Sequence, residues 1–483
     1  MQSAAADEAD TPFDFKLPEE EFKHPVIPDF YRALPVVDRR IHVLGLGAHG
    51  QFIAHALRSI PNPPPVTLIH RGWHAYTLWE NSKRRLQLVR DGSSESQEGF
   101  DAEIAFNRPR DRGKVISGQE ETSDARSPAQ DTTPQLQKEE STEPISSLIV
   151  CSQAPTTVTA LLSVKHRLNK DSVVLFLQHG LMGVIEEVDR EVFPDPESRP
   201  RYMLGVDTHG VRKTANDMYT SLYAHFGTMA IGLLPQERHD GFSPFSAPIR
   251  FDAKGLRPRA TNYPIGSPAD TPPLQRQSPW TPNDRYLLRT LLRIPALCAA
   301  GFAPSDLLQL QLEKLAMKCV IHPLTVMLDA RNGGILYNYH LTRTMRLLLS
   351  EISLVIRSLP ELQYIPNVAN RFDPGRLETL VVSAAYHMRD EISPTLACVR
   401  SGRQTEIDYM NGWIVNKGEE LGIRCLTNYM MTNLVKGKNK MVQLEMNEDV
   451  PFMGPKQGEG SIELKDGSSH DTNDGEQEDL GEL

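Results

Sequence analysis

Cysteine is scarce. Five residues in 483 (Cys151, Cys298, Cys319, Cys398 and Cys425) are odd in number, scattered, and mostly set in apolar runs. That excludes a disulfide framework or a CxxC metal site and points to a reducing compartment. Histidines with HExxH or comparable ligand spacing are also lacking, so no metal is expected. Apolar runs stay short of the roughly 18 residues that a membrane span needs. Basic charge is not in excess either: 52 Lys and Arg face 62 Asp and Glu, a net charge of −10. A general nucleic-acid binder would carry a basic field instead. The segment MQSAAADEADTPFDF has neither the apolar core of a secretory signal nor the Arg-rich character of a transit peptide. A cytoplasmic location is therefore expected, with a mitochondrial one as the lesser alternative.

A chain of this length should hold two folded domains plus extra material. Four stretches are too polar, or too rich in Pro, Gly and acid, to offset their ordering entropy: 1–37, about 108–146, 236–281 and 446–483. Two blocks remain. In residues 38–235, the β-branched runs IHVLGL, VTLIH, SLIVC, VVLFL and YMLGV are strand candidates, and QFIAHALRSI between the first two has helical spacing. Strand–helix–strand order with buried-type strands predicts a parallel, doubly wound, Rossmann-type sheet in an α/β fold. Residues 282–445 carry almost no strand signal. In QLQLEKLAMKCVIHPLTVML, residues Leu312, Leu315, Ala316, Cys319, Val320, Leu324 and Met327 follow helical spacing. An all-helical C-terminal domain is expected, with the active cleft between the two. Lys436, Lys438 and Lys440 read as a solvated helix end that complements the dipole.

The loop Gly45, Leu46, Gly47, Ala48, His49 and Gly50 has the GxGxxG spacing of a dinucleotide site. Gly45 permits the tight turn, Gly47 lets a pyrophosphate approach, and Gly50 allows close helix–strand packing. The helix that follows points its positive end at the phosphates. An NAD site places Asp or Glu after the second strand, whereas VTLIH runs into Arg71 with no acid before Glu80. A cation suits a 2′-phosphate, so NADP(H) is the expected cofactor; a solvated strand end is the alternative reading of Arg71.

Four further segments, in order, resemble the ketopantoate reductase (2-dehydropantoate 2-reductase) family. They are LFLQHGLMGVIEEV, LGVDTHGVRK with Thr208, His209 and Gly210 in register, LEKLAMKCVIHPLTVMLDARNGGIL, and SGRQTEIDYMNGWIVNKGEELGI. The resemblance implies NADPH-dependent reduction of a 2-keto acid, with ketopantoate to pantoate, in pantothenate biosynthesis, as the leading case. It places the catalytic lysine at Lys314, protonating the ketone oxygen as hydride arrives. It also places a glutamate that orients the substrate hydroxyl at Glu406. A cation belongs where charge develops on oxygen. Taken alone, Lys314 also fits a solvated lysine off the apolar stripe. Thr405 with Asp408 fits a capping box, and Glu406 in the first turn suits the helix dipole.

The resemblance breaks at several positions. His179 stands where the family has the asparagine of its QNG segment, and Gln153 where it has a lysine near the cofactor. Lys318 and His322 replace two asparagines that follow the lysine. Pro394 replaces a serine, for which the adjacent Ser393 could substitute. Lys318 lies one helical turn from Lys314, so each cation should lower the other's pKa. These changes leave two expectations open. One is a reductase acting on a small-molecule keto acid, with a homodimer as an open option. The other is a catalytically degenerate relative that serves as a nucleotide-binding or protein-interaction scaffold.

Overall fold

The structure, a computed structural model, describes residues 38–105, 110–111, 114–115, 141–178, 180–214, 217–234 and 280–448. Most of the four stretches expected to be poorly ordered lies outside the described residues, as does His179.

The first block runs β1 (Ile41–Leu44), α1 (Ala48–Arg58), β2 (Val66–His70), α2 (Trp73–Glu80), β3 (Leu86–Arg90), β4 (Ser93–Gln97) and β5 (Asp101–Ile104). It continues through β6 (Ser147–Val150), α3 (Ala154–Val164), β7 (Val173–Phe176), α4 (Leu181–Glu191) and β8 (Arg201–Asp207). Then come β9 (Gly210–Lys213), β10 (Thr220–His225), β11 (Met229–Leu233), α5 (Pro282–Leu292) and β12 (Ala299–Gly301). The main sheet has the order β12-β11-β8-β7-β6-β1-β2-β5. It is parallel except where β11 runs against β8. Side chains of a strand alternate between faces, and here both faces are covered. Val43, Ile149, Leu175 and Met203 share a core with α1 and α5. Leu44, Val150, Phe176 and Leu204 share the other with α3 and α4. That double burial is why the strand segments read as nearly unbroken apolar runs.

A second sheet, β9-β10-β3-β4, lies beside α1. The side chain of Gln51 ties it down, donating to the Met218 carbonyl at 2.7 Å and accepting from Ser221 at 2.8 Å. Its strand β4 (SSESQ) is almost wholly exposed and polar, so hydrophobic periodicity left no trace of it.

The domain break expected before Pro282 is corrected. β12 pairs with β11, and Leu287, Leu291, Ile294 and Leu297 belong to the first sheet's core. The helical domain therefore begins with α6 (Pro304–Leu328), followed by α7 (Tyr339–Arg357), α8 (Pro374–His387), α9 (Pro394–Arg400), α10 (Asn411–Glu420) and α11 (Leu426–Glu448). With 25 residues, α6 is about 37 Å long. Its apolar stripe, Leu312, Leu315, Ala316, Cys319, Val320 and Leu324, packs with Leu348, Ile352, Phe372, Val381 and Ile414. Because α11 runs on to Glu448, the three lysines lie within it and not at a helix end. Lys436 pairs with Asp408 at 3.0 Å, and Lys438 donates to the Val326 carbonyl.

Pro323 lies inside α6. It has no N–H to offer the Cys319 carbonyl four residues back. The buried Asn411 side chain supplies the donor instead, reaching that oxygen at 2.8 Å. Asn411 also donates to Asn428 at 3.0 Å, and Glu351 accepts from the Asn428 amide and side chain at 2.9 and 2.7 Å. The helix survives its proline because a neighbour repairs it. Asn411→Ala should lower the unfolding free energy by about 1–3 kcal/mol. Adding Pro323→Ala should recover part of that loss, since the alanine introduced there has an N–H to donate to the Cys319 carbonyl. Chemical denaturation of the single and double variants measures both; equal stabilities of the two would remove this account.

Candidate active site

The dinucleotide loop leaves β1 through Gly45 at φ +96°. A Cβ there would stand 2.5 Å from the Ser152 amide nitrogen, and one at Gly50 would stand 2.1 Å from the Gly45 carbonyl. Both glycines are demanded by the protein's own backbone. Gly47 differs: it is exposed, and a Cβ there would meet nothing within 4 Å. It is also the N-cap of α1 with no side-chain cap and no acid in the first turn, leaving amides free for an anion. Space at Gly47 suits a ligand that must approach backbone, so these residues fit a dinucleotide. Leu46, Ala48 and His49 are half-buried along the same turn. Arg71, just past β2, is exposed, with no hydrogen bond or ion pair to another described residue, so its guanidinium can take an anionic group.

Across the crevice, α6 presents Gln311, Lys314 and Lys318 at helical spacings of three and four. They line one cleft with Gln178, Gly180 and Gly205, from the C-terminal ends of the sheet strands and the start of α4. Lys314 donates to the backbone carbonyl of Asp207, at the end of β8. Burial lowers its pKa below an ordinary lysine's, with Asp207 and Glu406 opposing. The Asp207 carboxylate accepts from His209 through its amide at 3.0 Å and its ring at 2.6 Å, and lies 3.6 Å from His49. Burial would push that carboxyl up, but His209, His49 and Lys314 outweigh it and hold it below the usual range.

Lys318 is half-buried. Burial drives its pKa well down and the charge of Lys314 adds to that, against the pull of Glu406 and Asp207. His322 is buried; burial and the two lysines keep it neutral far below the ordinary histidine range. Its Nδ1 lies 2.9 Å from the Thr395 hydroxyl. Ser393 is buried too, and its hydroxyl caps α9 by accepting from Leu396 at 3.2 Å while meeting Thr325 at 2.8 Å. Ser393 is thus built into the helix start, its hydroxyl bonded to Leu396 and Thr325.

The expected capping box at Thr405 is not formed. Residues Ile407–Tyr409 make a single 3₁₀ turn without a side-chain cap, and the helix proper starts at Asn411. Glu406 instead reaches across the domains and accepts from the Ala154 amide, at the start of α3, at 3.1 Å. Burial pushes its carboxyl above the usual range, against Lys318, the Ala154 bond and Lys314. Gln153, next in line, is exposed and sits 3.6 Å from the Cys398 sulfur. The same segment clamps α4. The Tyr409 hydroxyl donates to Glu187 at 2.6 Å and the Trp413 indole to Glu186 at 3.2 Å. At Gly180, in the left-handed region, a Cβ would stand 2.5 Å from the Tyr409 carbonyl.

The structure therefore brings Lys314, Lys318 and Glu406 together beside the glycine loop, with His322 one turn deeper. Two residues escaped the sequence reading. Asp207 could have been found as an acid ending an apolar strand, and Gln311 as a polar residue on the face of the two lysines.

The family described as Ketopantoate reductase PanE/ApbA matches residues 41–236, and its C-terminal counterpart matches residues 306–439. The two matches fall on the sheet domain and the helical domain in the right order. The chain belongs to the ketopantoate reductase family. The family's members are oxidoreductases of 2-keto acids. Similar proteins include a probable 2-dehydropantoate 2-reductase of Schizosaccharomyces pombe, 25% identical over 61% of this chain and 74% of its own. A ketoisovalerate reductase of Beauveria bassiana is 23% identical over 80% and 79%. A cytochrome b translational activator of Saccharomyces cerevisiae is 24% identical over 61% and 74%. Among solved structures, D-mandelate dehydrogenase with NADH and anilino(oxo)acetate covers 83% of this chain and 99% of its own, with a TM-score of 0.51 at 16% identity. Among the described residues, no helix is long and apolar enough to cross a membrane, and no group of three or more metal-ligating side chains is present.

The three glycines make a test. Gly47→Ala should leave stability within about 0.5 kcal/mol yet weaken binding of a nicotinamide dinucleotide, tried as NADH and NADPH, tenfold or more, whereas Gly50→Ala should destabilise the fold itself. Thermal unfolding beside fluorescence titration separates the two effects. Unchanged affinity for both in Gly47→Ala would mean that the loop holds no dinucleotide.

Proposed function

We propose that this protein is an NADPH-dependent reductase of 2-keto acids, and that Lys314 is its catalytic acid. The observation that carries this reading is Lys314 itself: an ammonium half-buried in the crevice, fixed on a backbone carbonyl and flanked by Glu406, opposite a glycine loop with room for a dinucleotide. A bound nicotinamide nucleotide would supply the hydride.

The chain's own residues would do the rest. As the ketone carbon is reduced, negative charge grows on its oxygen, and an ammonium held there both stabilises that charge and donates the proton. The lowered pKa of Lys314 brings it nearer to neutral pH, which eases the transfer. Its bond to the Asp207 carbonyl orients the ammonium, and the ionised Asp207 carboxylate behind it favours the charged form. Glu406, held at the start of α3, faces the same space and would accept from a substrate hydroxyl. Arg71 supports NADP(H) over NAD(H), because its exposed guanidinium has no acidic neighbour in place to meet a ribose hydroxyl. Ketopantoate and 2-ketoisovalerate are the first substrates to offer, by analogy with the reductases named above.

A second reading follows from the similarity to a translational activator: a scaffold that keeps the fold, with or without the nucleotide, and performs no turnover. One series of measurements decides. Titration should give tighter binding of NADPH than of NADH, and a panel of 2-keto acids should then oxidise NADPH. Lys314→Ala should cut kcat/KM by about 10² to 10⁴-fold while NADPH binding stays within threefold. Reduction needs the protonated lysine, so the rate should fall as pH rises through the lowered pKa, earlier than for an unperturbed lysine. NADPH binding with no turnover on any keto acid would leave the scaffold reading.

A further inference from the structure

Three polar side chains of α6 face the cleft, and only one has a hydrogen-bond partner among the described residues. Lys314 is held by the Asp207 carbonyl. Gln311 is buried, and neither its amide oxygen nor its nitrogen meets a hydrogen-bonding group among the described residues. Lys318 feels the charge of Glu406 and Asp207 but makes no hydrogen bond or ion pair with a described residue. A buried carboxamide without a partner and a desolvated ammonium without a counter-ion both cost stability. Residues 311 and 318 lie two turns apart on one face, with Lys314 between them.

We infer that Lys318 and Gln311 form a second anion subsite in this cleft, selecting 2-keto acids that carry a second carboxylate. The argument rests on the reading that reduction takes place at Lys314. That reaction needs one cation, at the oxygen where charge develops, and Lys314 supplies it. Lys318 is then a second basic group, which a bound carboxylate would hold in its charged form, at a position where the family resemblance puts a neutral asparagine. Among the described residues, no carboxylate makes an ion pair with it, although Glu406 and Asp207 favour its charged form. Asp207 accepts from His209 through one oxygen, and its other oxygen, 3.6 Å from His49, makes no hydrogen bond and no ion pair with Lys318. Glu406 is engaged by the Ala154 amide and is driven towards its neutral form by burial. His322 is neutral. One ammonium with one carboxamide donor matches a singly charged carboxylate better than a doubly charged phosphate. With the carboxylate beside the ketone held elsewhere in the cleft, a substrate whose far end is apolar would leave Lys318 and Gln311 as unsatisfied inside the complex as outside it.

The test uses the full-length protein with NADPH and two pairs of substrates: 2-oxoglutarate and 2-oxoadipate against 2-oxoisovalerate and ketopantoate. The dicarboxylates should have kcat/KM at least tenfold higher. Lys318→Asn and Lys318→Met should each abolish that preference through KM for the dicarboxylates, and Gln311→Leu should reduce it. Preference of the unaltered protein for the monocarboxylates would overturn the inference and leave the reductase reading intact. So would an equal loss for all four substrates in the Lys318 variants, because Lys318 would then hold the carboxylate that every 2-keto acid shares. Reduction of none of the four would remove the reductase reading, and this inference with it.

Discussion

A long helix that carries ammonium groups into a crevice between two domains must find oxygen for them, and this protein offers Lys314 a backbone carbonyl. That choice sets the character of the cleft. A carbonyl orients an ammonium and satisfies one of its donors, but it brings no formal negative charge. Of the nearest carboxylates, Asp207 accepts from His209 through one oxygen and Glu406 accepts from the start of α3. The crevice therefore holds basic groups and carboxylates close together at low dielectric, where each strongly shifts the others. The contact has an architectural consequence too. It joins the central helix of one domain to the end of a sheet strand in the other, so the two halves of the cleft are positioned by the bond that orients Lys314.

The other interdomain contacts follow from the same need for a fixed crevice. The segment from Glu406 to Trp413 caps α3, hydrogen-bonds α4 through Tyr409 and Trp413, and presses its backbone against Gly180. One stretch of chain thus sets the starts of the two helices that follow β6 and β7, the strands central to the sheet. It also sends Asn411 into α6 to replace the donor that Pro323 lacks. Its polar residues look like surface decoration in the sequence, yet each has a partner in another element.

Much of the fold was legible because double burial writes itself into sequence. β1, β2, β6, β7 and β8 are apolar on both faces, and the stripe of α6 is apolar over five turns. The glycine loop was legible because each glycine has a separate steric reason. What was not legible depends on partners distant in the chain. The exposed strand β4 exists only by pairing with β3. Segment 282–301 reads as helical and even begins with Thr281 and Asp284 in a capping box, but its apolar face fits the sheet and not α6. Thr405 and Asp408 have the spacing of a capping box that the structure declines, because Glu406 satisfies amides in another domain. At the site, Lys314, Lys318 and Glu406 were visible through their family resemblance, while Asp207 and Gln311 needed geometry to show what they face.

The composition of the cleft bears on which function survives. A scaffold freed from binding a keto acid would lose nothing by filling this space with apolar side chains, and would gain stability, since isolated buried charges and unpartnered amides are costly. The observed replacements run the other way. Lys318 adds a basic group next to an existing one, and Gln311 keeps an amide with no hydrogen-bond partner among the described residues. Neither contributes to the helical core, whose stripe passes through Leu312, Leu315, Cys319 and Val320 on another face of α6. Groups that the fold does not need, and that destabilise it while the cleft is empty, are offset when an anionic ligand meets them. Under the proposed reductase reading, altered recognition accounts for this arrangement more simply than loss of the site would.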